Sequence, residues 1–173
     1  MKRTIFLWQF AGFIFTSLGG VLLHFLYNLT NQSILIALFS SVNESTWEHM
    51  KLFYFPMLIF ALIQNNFFEK HENFWCVKLV SFITGLSLIP ILFYTYNGAI
   101  GKSPDWVNIL IFFISVAVVF FVETKLFIKL FKENLSWCKN PLLAYTLICL
   151  IGVLFVIFTF SPPKLPLFMD PHA

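Results

Sequence analysis

Apolar residues fall in long blocks along this chain. Residues 5–27, 74–96, 106–131 and 141–160 are almost continuously apolar. A helix needs about 20 such residues to cross a bilayer, so each block predicts one transmembrane span. Residues 45–68 begin polar and turn apolar at Leu52, which predicts a fifth. Residues 34–42 are too few to span and too apolar for an ordinary loop. They predict a half-helix or re-entrant piece shielded by protein. Pro162, Pro163, Pro166 and Pro171 favour an extended tail over residues 161–173, lying on the mouth of the bundle. The expected architecture is all-α: one transmembrane domain over residues 1–173, a polytopic bundle of five helices plus the half-helix.

Composition strengthens the membrane reading. The 173 residues are 59% hydrophobic and 20% aromatic, with 24 Phe, whereas soluble chains are about 45–50% apolar. Lipid is the expected partner. The net charge of +3 and the lack of any Lys/Arg run exclude a nucleic-acid patch. Met1-Lys2-Arg3 before an apolar run resembles a signal peptide, but the run outlasts a 7–15-residue signal core and predicts a retained helix. With the N-terminus inside, eight basic residues (Lys2, Arg3, Lys70, Lys78, Lys125, Lys129, Lys132, Lys139) face the cytoplasm and three (Lys51, Lys102, Lys164) face out. That bias predicts a cell-membrane protein with its N-terminus in and its C-terminus out. Cys76, Cys138 and Cys149 form no C-x-x-C pair, which leaves no thiolate metal or redox motif and predicts three unpaired thiols.

One stretch breaks the pattern. "SVNESTWEHMK", residues 41–51, gathers Asn43, Glu44, Ser45, Thr46, Glu48, His49 and Lys51 in a chain only 11% charged. Ser45-Thr46-Trp47-Glu48 has the form of a capping box, in which Ser45 and Glu48 satisfy each other's backbone N–H groups. Trp47 and Lys51 suit an interfacial anchor pair, the lysine stem snorkelling to water. Pro56 should bend the helix that follows.

A cap and an anchor leave Asn43, Glu44 and His49 unexplained. Gly12, Thr16, Gly20 and His24 recur every four residues, so they share one packed face of the first helix. His24 then meets the 43–49 cluster at the outer end. Two imidazoles and two carboxylates (His24, Glu44, Glu48, His49) suit a divalent metal such as zinc or manganese. Glu44, Glu48 and His49 equally suit acid/base catalysis. Asn43, Lys51, Asp170 and His172 would complete the polar surroundings. Neither H-E-x-x-H nor G-x-S-x-G occurs, so no metalloprotease or serine-hydrolase signature is met. Glu123, near the inner surface, should pair with Lys125 or another interfacial lysine.

"NESTWEHMKLFYFP", "FYTYNG" and "FTFSPPKLPLFMDP" together resemble a family of small bacterial multipass membrane proteins catalogued only as a domain of unknown function. The resemblance covers nearly the whole chain. It implies a bacterial plasma-membrane location and no assigned chemistry. Where the family pattern has a histidine after the tail's Pro-Pro, this chain has Lys164, which cannot replace a metal ligand while charged.

Three functions fit these residues. One is an enzyme acting on a lipid or lipid-linked substrate at the outer leaflet. Another is a small ion or solute transporter, which at five helices would need to form a homodimer. Few polar groups on the inner half, only Gln64 and Glu123, argue against that. The third is an accessory or scaffold subunit with an unknown protein partner.

Overall fold

The computed structural model describes residues 2–68, 73–132 and 140–170. Six helices follow in order: α1 (Lys2–Leu29), α2 (Ile34–Ala37), α3 (Thr46–Phe68), α4 (Phe74–Ile100), α5 (Asp105–Lys132) and α6 (Pro141–Phe160). A 3-10 turn, Pro166–Phe168, follows, and no strand occurs among the described residues. α1, α4, α5 and α6 are long and apolar enough to cross a membrane. They turn large apolar side chains outward, among them Phe6, Leu18, Ile91, Phe121 and Leu150.

α3 differs because of where it sits. It packs against α1, α4 and α6, and every residue from 50 to 57 is buried. Enclosed by other helices over this first half, and exposing Ile59, Leu62, Ile63 and Phe67 only in its second, α3 does not need lipid-compatible residues all round. Its charged first turns are therefore tolerated where the outer helices would not tolerate them. Phe53, Tyr54, Met57 and Phe60 of α3 form the core with Phe82, Phe120, Ile148 and Phe155 from α4, α5 and α6.

The α1–α3 contact is close for a stated reason. Pro56 has no N–H, so the Leu52 carbonyl loses its helical partner. α1 passes that point with glycine: a Cβ on Gly20 would lie 2.9 Å from the Leu52 oxygen, and one on Gly19 would lie 2.8 Å from Pro56 Cβ. The four-residue spacing of small residues on α1 thus marks a real packing face, with Gly12, Thr16 and Gly20 all buried. Similarly, Gly85 of α4 leaves room for the Phe53 ring, which a Cβ there would approach to 2.3 Å.

Three expectations need correction. The half-helix over 34–42 is one turn, Ile34–Ala37, and Ile34 and Leu35 are exposed rather than shielded. The chain instead leaves α1 through Asn31 and Gln32, both at positive φ, and returns along its end. Lys51 and Lys78 are not interfacial but fully buried, each beside a carboxylate. This removes one lysine from each side of the charge tally and leaves its sense unchanged. Cys76 is disulfide-bonded and Cys149 is free, because sequence spacing does not limit pairing across the fold. His71, Cys138 and His172 lie outside the described residues.

The glycine contacts make a direct prediction. Gly85→Ala should cost about 1–3 kcal/mol, because Phe53 is fully enclosed and cannot yield. Gly98→Ala, where a Cβ meets nothing within 4 Å, should be near neutral. Unfolding midpoints of the two variants in detergent check the contrast.

Candidate functional site

The local chain around the site is fixed by side chains that replace missing backbone partners. Ser40 Oγ accepts from the Tyr27 N–H at 3.1 Å and donates to the Leu23 carbonyl, the two groups that one helical hydrogen bond would join. This ties the loop after α2 to α1 beside His24. Asn43 Oδ1 accepts from the Ser45 N–H at 2.9 Å, and Ser45 Oγ accepts from the Glu48 N–H at 3.3 Å. The capping box is therefore half realised. Asn43 takes the place at Ser45 N–H expected for Glu48, and Glu48 Oε2 accepts from the Val42 N–H at 3.0 Å.

Glu48 has a further engagement. Lys51 Nζ stands 2.7 Å from its Oε2 and donates to the Ala37 carbonyl at 2.9 Å and to Thr159 Oγ1 of α6 at 2.8 Å. The Thr159 hydroxyl lies 3.1 Å from Glu48 Oε1. All three ammonium donors thus meet an acceptor, as a charge buried away from water requires. Lys51 does not snorkel. Trp47 is no lipid anchor either: it packs on Phe155 of α6 at 4.5 Å and on Phe168 of the tail at 4.7 Å. The tail is held there, and Asp170 Oδ2 accepts from the Glu44 N–H at 3.2 Å.

Glu44, His49 and His24 are left, and the fold brings them together. One ligand atom from each lies within 4.8 Å of the others. The imidazoles of His24 and His49 are 5.5 Å apart between centroids. His49 Nδ1 is 3.0 Å from the Ser45 carbonyl. A carbonyl only accepts, so Nδ1 carries the hydrogen and Nε2 is left facing Glu44 Oε2 at 3.3 Å. A neutral imidazole would set its Nε2 lone pair against the carboxylate, so this contact takes either a proton on Nε2, which then donates to Glu44, or a cation between the two. Ser41 Oγ lies 3.5 Å from His24 Nδ1, which leaves the opposite nitrogen of that ring available. Glu48 is placed outside this group, and Asn43, Lys51 and Asp170 support it from the surrounding backbone.

The three residues stand at the polar end of a cavity of about 560 Å³ between α1, α3, α4 and α5. Its walls are mostly apolar, including Val21, Leu52, Ile89 and Phe112. Phe25 and Ile109, both more than half exposed, border it on α1 and α5, so it faces the bundle's apolar exterior. Asp105 and Asn108 bring polar groups from α5. Sequence reasoning missed Asn108 and Thr159. Each is a lone polar residue in a helix, and no spacing marks it out. Asn108 is positioned by Ser103 Oγ, which donates to its Oδ1 at 2.7 Å.

A family model described as a family of unknown function (DUF6512) matches residues 2–173. No curated protein and no solved structure matches the chain.

The buried pair predicts an asymmetry. Lys51→Met should destabilise the protein by about 3–5 kcal/mol, since Glu48 is left charged and enclosed. Adding Glu48→Leu should restore much of that loss. Reversible unfolding of the single and double variants measures both.

Proposed function

The chain belongs to that family of unknown function, which brings no chemistry of its own, so on the site itself we propose a membrane-embedded divalent-metal centre formed by His24, Glu44 and His49. The carrying observation is that one ligand atom each from His24, Glu44 and His49 lies within 4.8 Å of the others, with the Ser45 carbonyl holding the His49 Nδ1 hydrogen so that Nε2 faces the group. Ligand atoms around zinc or manganese, with bonds of about 2.0–2.2 Å, stand roughly 3.3–3.6 Å apart. The His49–Glu44 distance of 3.3 Å already matches, and the 4.8 Å span of the group leaves about an ångström to close toward His24. The backbone carbonyl on His49 is the kind of outer partner that fixes the tautomer of a ligating histidine.

Two imidazoles and one carboxylate leave a coordination position open, the pattern of catalytic rather than structural sites. A metal held there would polarise a bound oxygen and activate water at neutral pH. The chain's own groups do the rest. The apolar cavity takes a chain-bearing molecule from the lipid, and Asp105 and Asn108 meet its polar head. The substrate class this favours is a lipid or lipid-linked compound. Acid/base chemistry by Glu44 and His49 is the alternative, with His49 charged and no metal bound. In the full reading α3 is the fifth, enclosed span of a cell-membrane protein, N-terminus in, and the site faces the extracytoplasmic leaflet.

Metal analysis of the purified protein tests this. One zinc or manganese per chain is expected, lost in His24→Ala and in His49→Ala and kept in Asp105→Asn. Protein that takes up neither ion on dialysis against it overturns the metal reading.

A further inference from the structure

A second polar region lies deeper, toward the other end of the bundle. Lys78 of α4 and Glu123 of α5 form an ion pair at 2.6 Å with both side chains fully buried. The expectation that Glu123 pairs with an interfacial lysine is thus replaced by an internal pair. Charge at such depth is expensive and marks a functional position by default.

The neighbours sharpen this. Gly12 of α1 lies against the rings of Phe60 and Phe120, which a Cβ there would meet at 2.5 and 2.4 Å. One helical turn farther from the cavity come Gln9 on α1, Gln64 on α3 and Glu123 on α5, so the three stand in one layer. Gln9 is 3% exposed, and Gln64 and Glu123 are 0% exposed. Both polar atoms of each glutamine, and Glu123 Oε2, have no hydrogen-bond partner among the described residues. One turn on the other side of Gly12, toward the cavity, the buried hydroxyls of Thr16 and Ser17 also lack a hydrogen-bond partner among the described residues. In a bilayer each such atom costs free energy unless something polar reaches it, and water is the usual occupant.

The region is closed at both ends by aromatic rings. Phe60 and Phe120, 6.2 Å apart, separate it from the cavity side. Phe68, Phe74 and Phe127 pack on one another beyond it, with centroids 5.2–6.1 Å apart and Phe74 stacked on Phe127. The Lys78 ammonium sits between the two layers, 5.6 Å from Phe60, 5.5 Å from Phe74 and 5.7 Å from Phe127.

We propose that Gln9, Gln64, Lys78 and Glu123 form an occluded, water-filled proton site on a path along the buried face of α1, and that the bundle moves protons through it. A proton delivered from the cavity side past Ser17 and Thr16, when the Phe60–Phe120 layer parts, joins Glu123 Oε2, the oxygen not engaged by Lys78. Glu123 becomes a neutral acid while Lys78 stays an ammonium. The proton leaves to water at the opposite end when the Phe68–Phe74–Phe127 layer parts, and the carboxylate returns to Lys78. Lys78 is the charged group facing Glu123 among the described residues; α1 and α3 contribute only the neutral glutamines. The inner half therefore holds more polar groups than Gln64 and Glu123, which weakens the objection to transport. None of these residues belongs to the His24–Glu44–His49 group, so the two readings stand or fall separately.

The test uses the full chain in liposomes enclosing a pH-sensitive dye, with a potassium diffusion potential drawing protons inward. Proton uptake well above that of protein-free liposomes is expected, falling at least tenfold in Glu123→Gln. Because that variant leaves Lys78 buried and unpaired, Lys78→Met/Glu123→Leu is run beside it. This double variant removes both charges together, should fold, and should also lose the flux. Wild-type uptake equal to that of protein-free liposomes overturns the proposal. So does undiminished uptake by the double variant.

Discussion

The ammonium of Lys51 is the constraint on which the site depends. It lies inside a bundle where no water can reach it, so its three donors must be met by protein. The acceptors come from three separate places: the carbonyl closing α2, the first turn of α3 and a hydroxyl on α6. Glu48, drawn into this arrangement, spends its remaining capacity on the Val42 N–H. The loop between α2 and α3 is thereby clamped at both ends. What that loop presents outward is Glu44, and His49 follows one turn into the helix. Lys51 and Glu48 thus hold the loop from which the exposed Glu44 meets the two histidines.

Much of the helical framework was legible because lipid imposes a rule on every exposed position of a spanning helix. The four apolar blocks became α1, α4, α5 and α6, the first three extended by one to four residues at an end and α6 spanning its block unchanged. The grouping of His24 with Glu44 and His49 was legible too, since a four-residue spacing on α1 and a short connection leave few ways to separate them. The misreadings share one cause. Lys51, Lys78 and Glu123 were read by their depth along a span, as charges that reach for water. What governs them is a partner elsewhere: Glu123 stands 45 residues from Lys78, and Thr159 stands 108 from Lys51. No local pattern reports such a pairing. Trp47 was misread likewise, because the rings that cover it arrive only with α6 and the tail beyond it.

Two polar regions thus share one apolar bundle, and they are built differently. The His24 end is open, bordered by a cavity, and gathers two imidazoles and a carboxylate. The Lys78–Glu123 region is closed, walled by aromatic rings, and carries polar atoms that have no hydrogen-bond partner among the described residues. Between them the Phe60–Phe120 layer packs on Gly12, a position where any side chain would force the rings aside. The glycine keeps that partition thin.

The Glu44 N–H is held by an oxygen 126 residues farther along the chain, and the Glu48 carboxylate by a hydroxyl 111 residues farther. A ribosome makes α1 and α3 long before it makes either partner. During that interval the histidines and glutamates already exist, but the loop carrying them is unclamped and Lys51 lacks its α6 acceptor. The site is therefore among the last parts of the molecule to mature, even though its own residues lie in the first third of the chain. The clamped arrangement of Glu44 and the two histidines is withheld from the nascent chain until the last helix has docked.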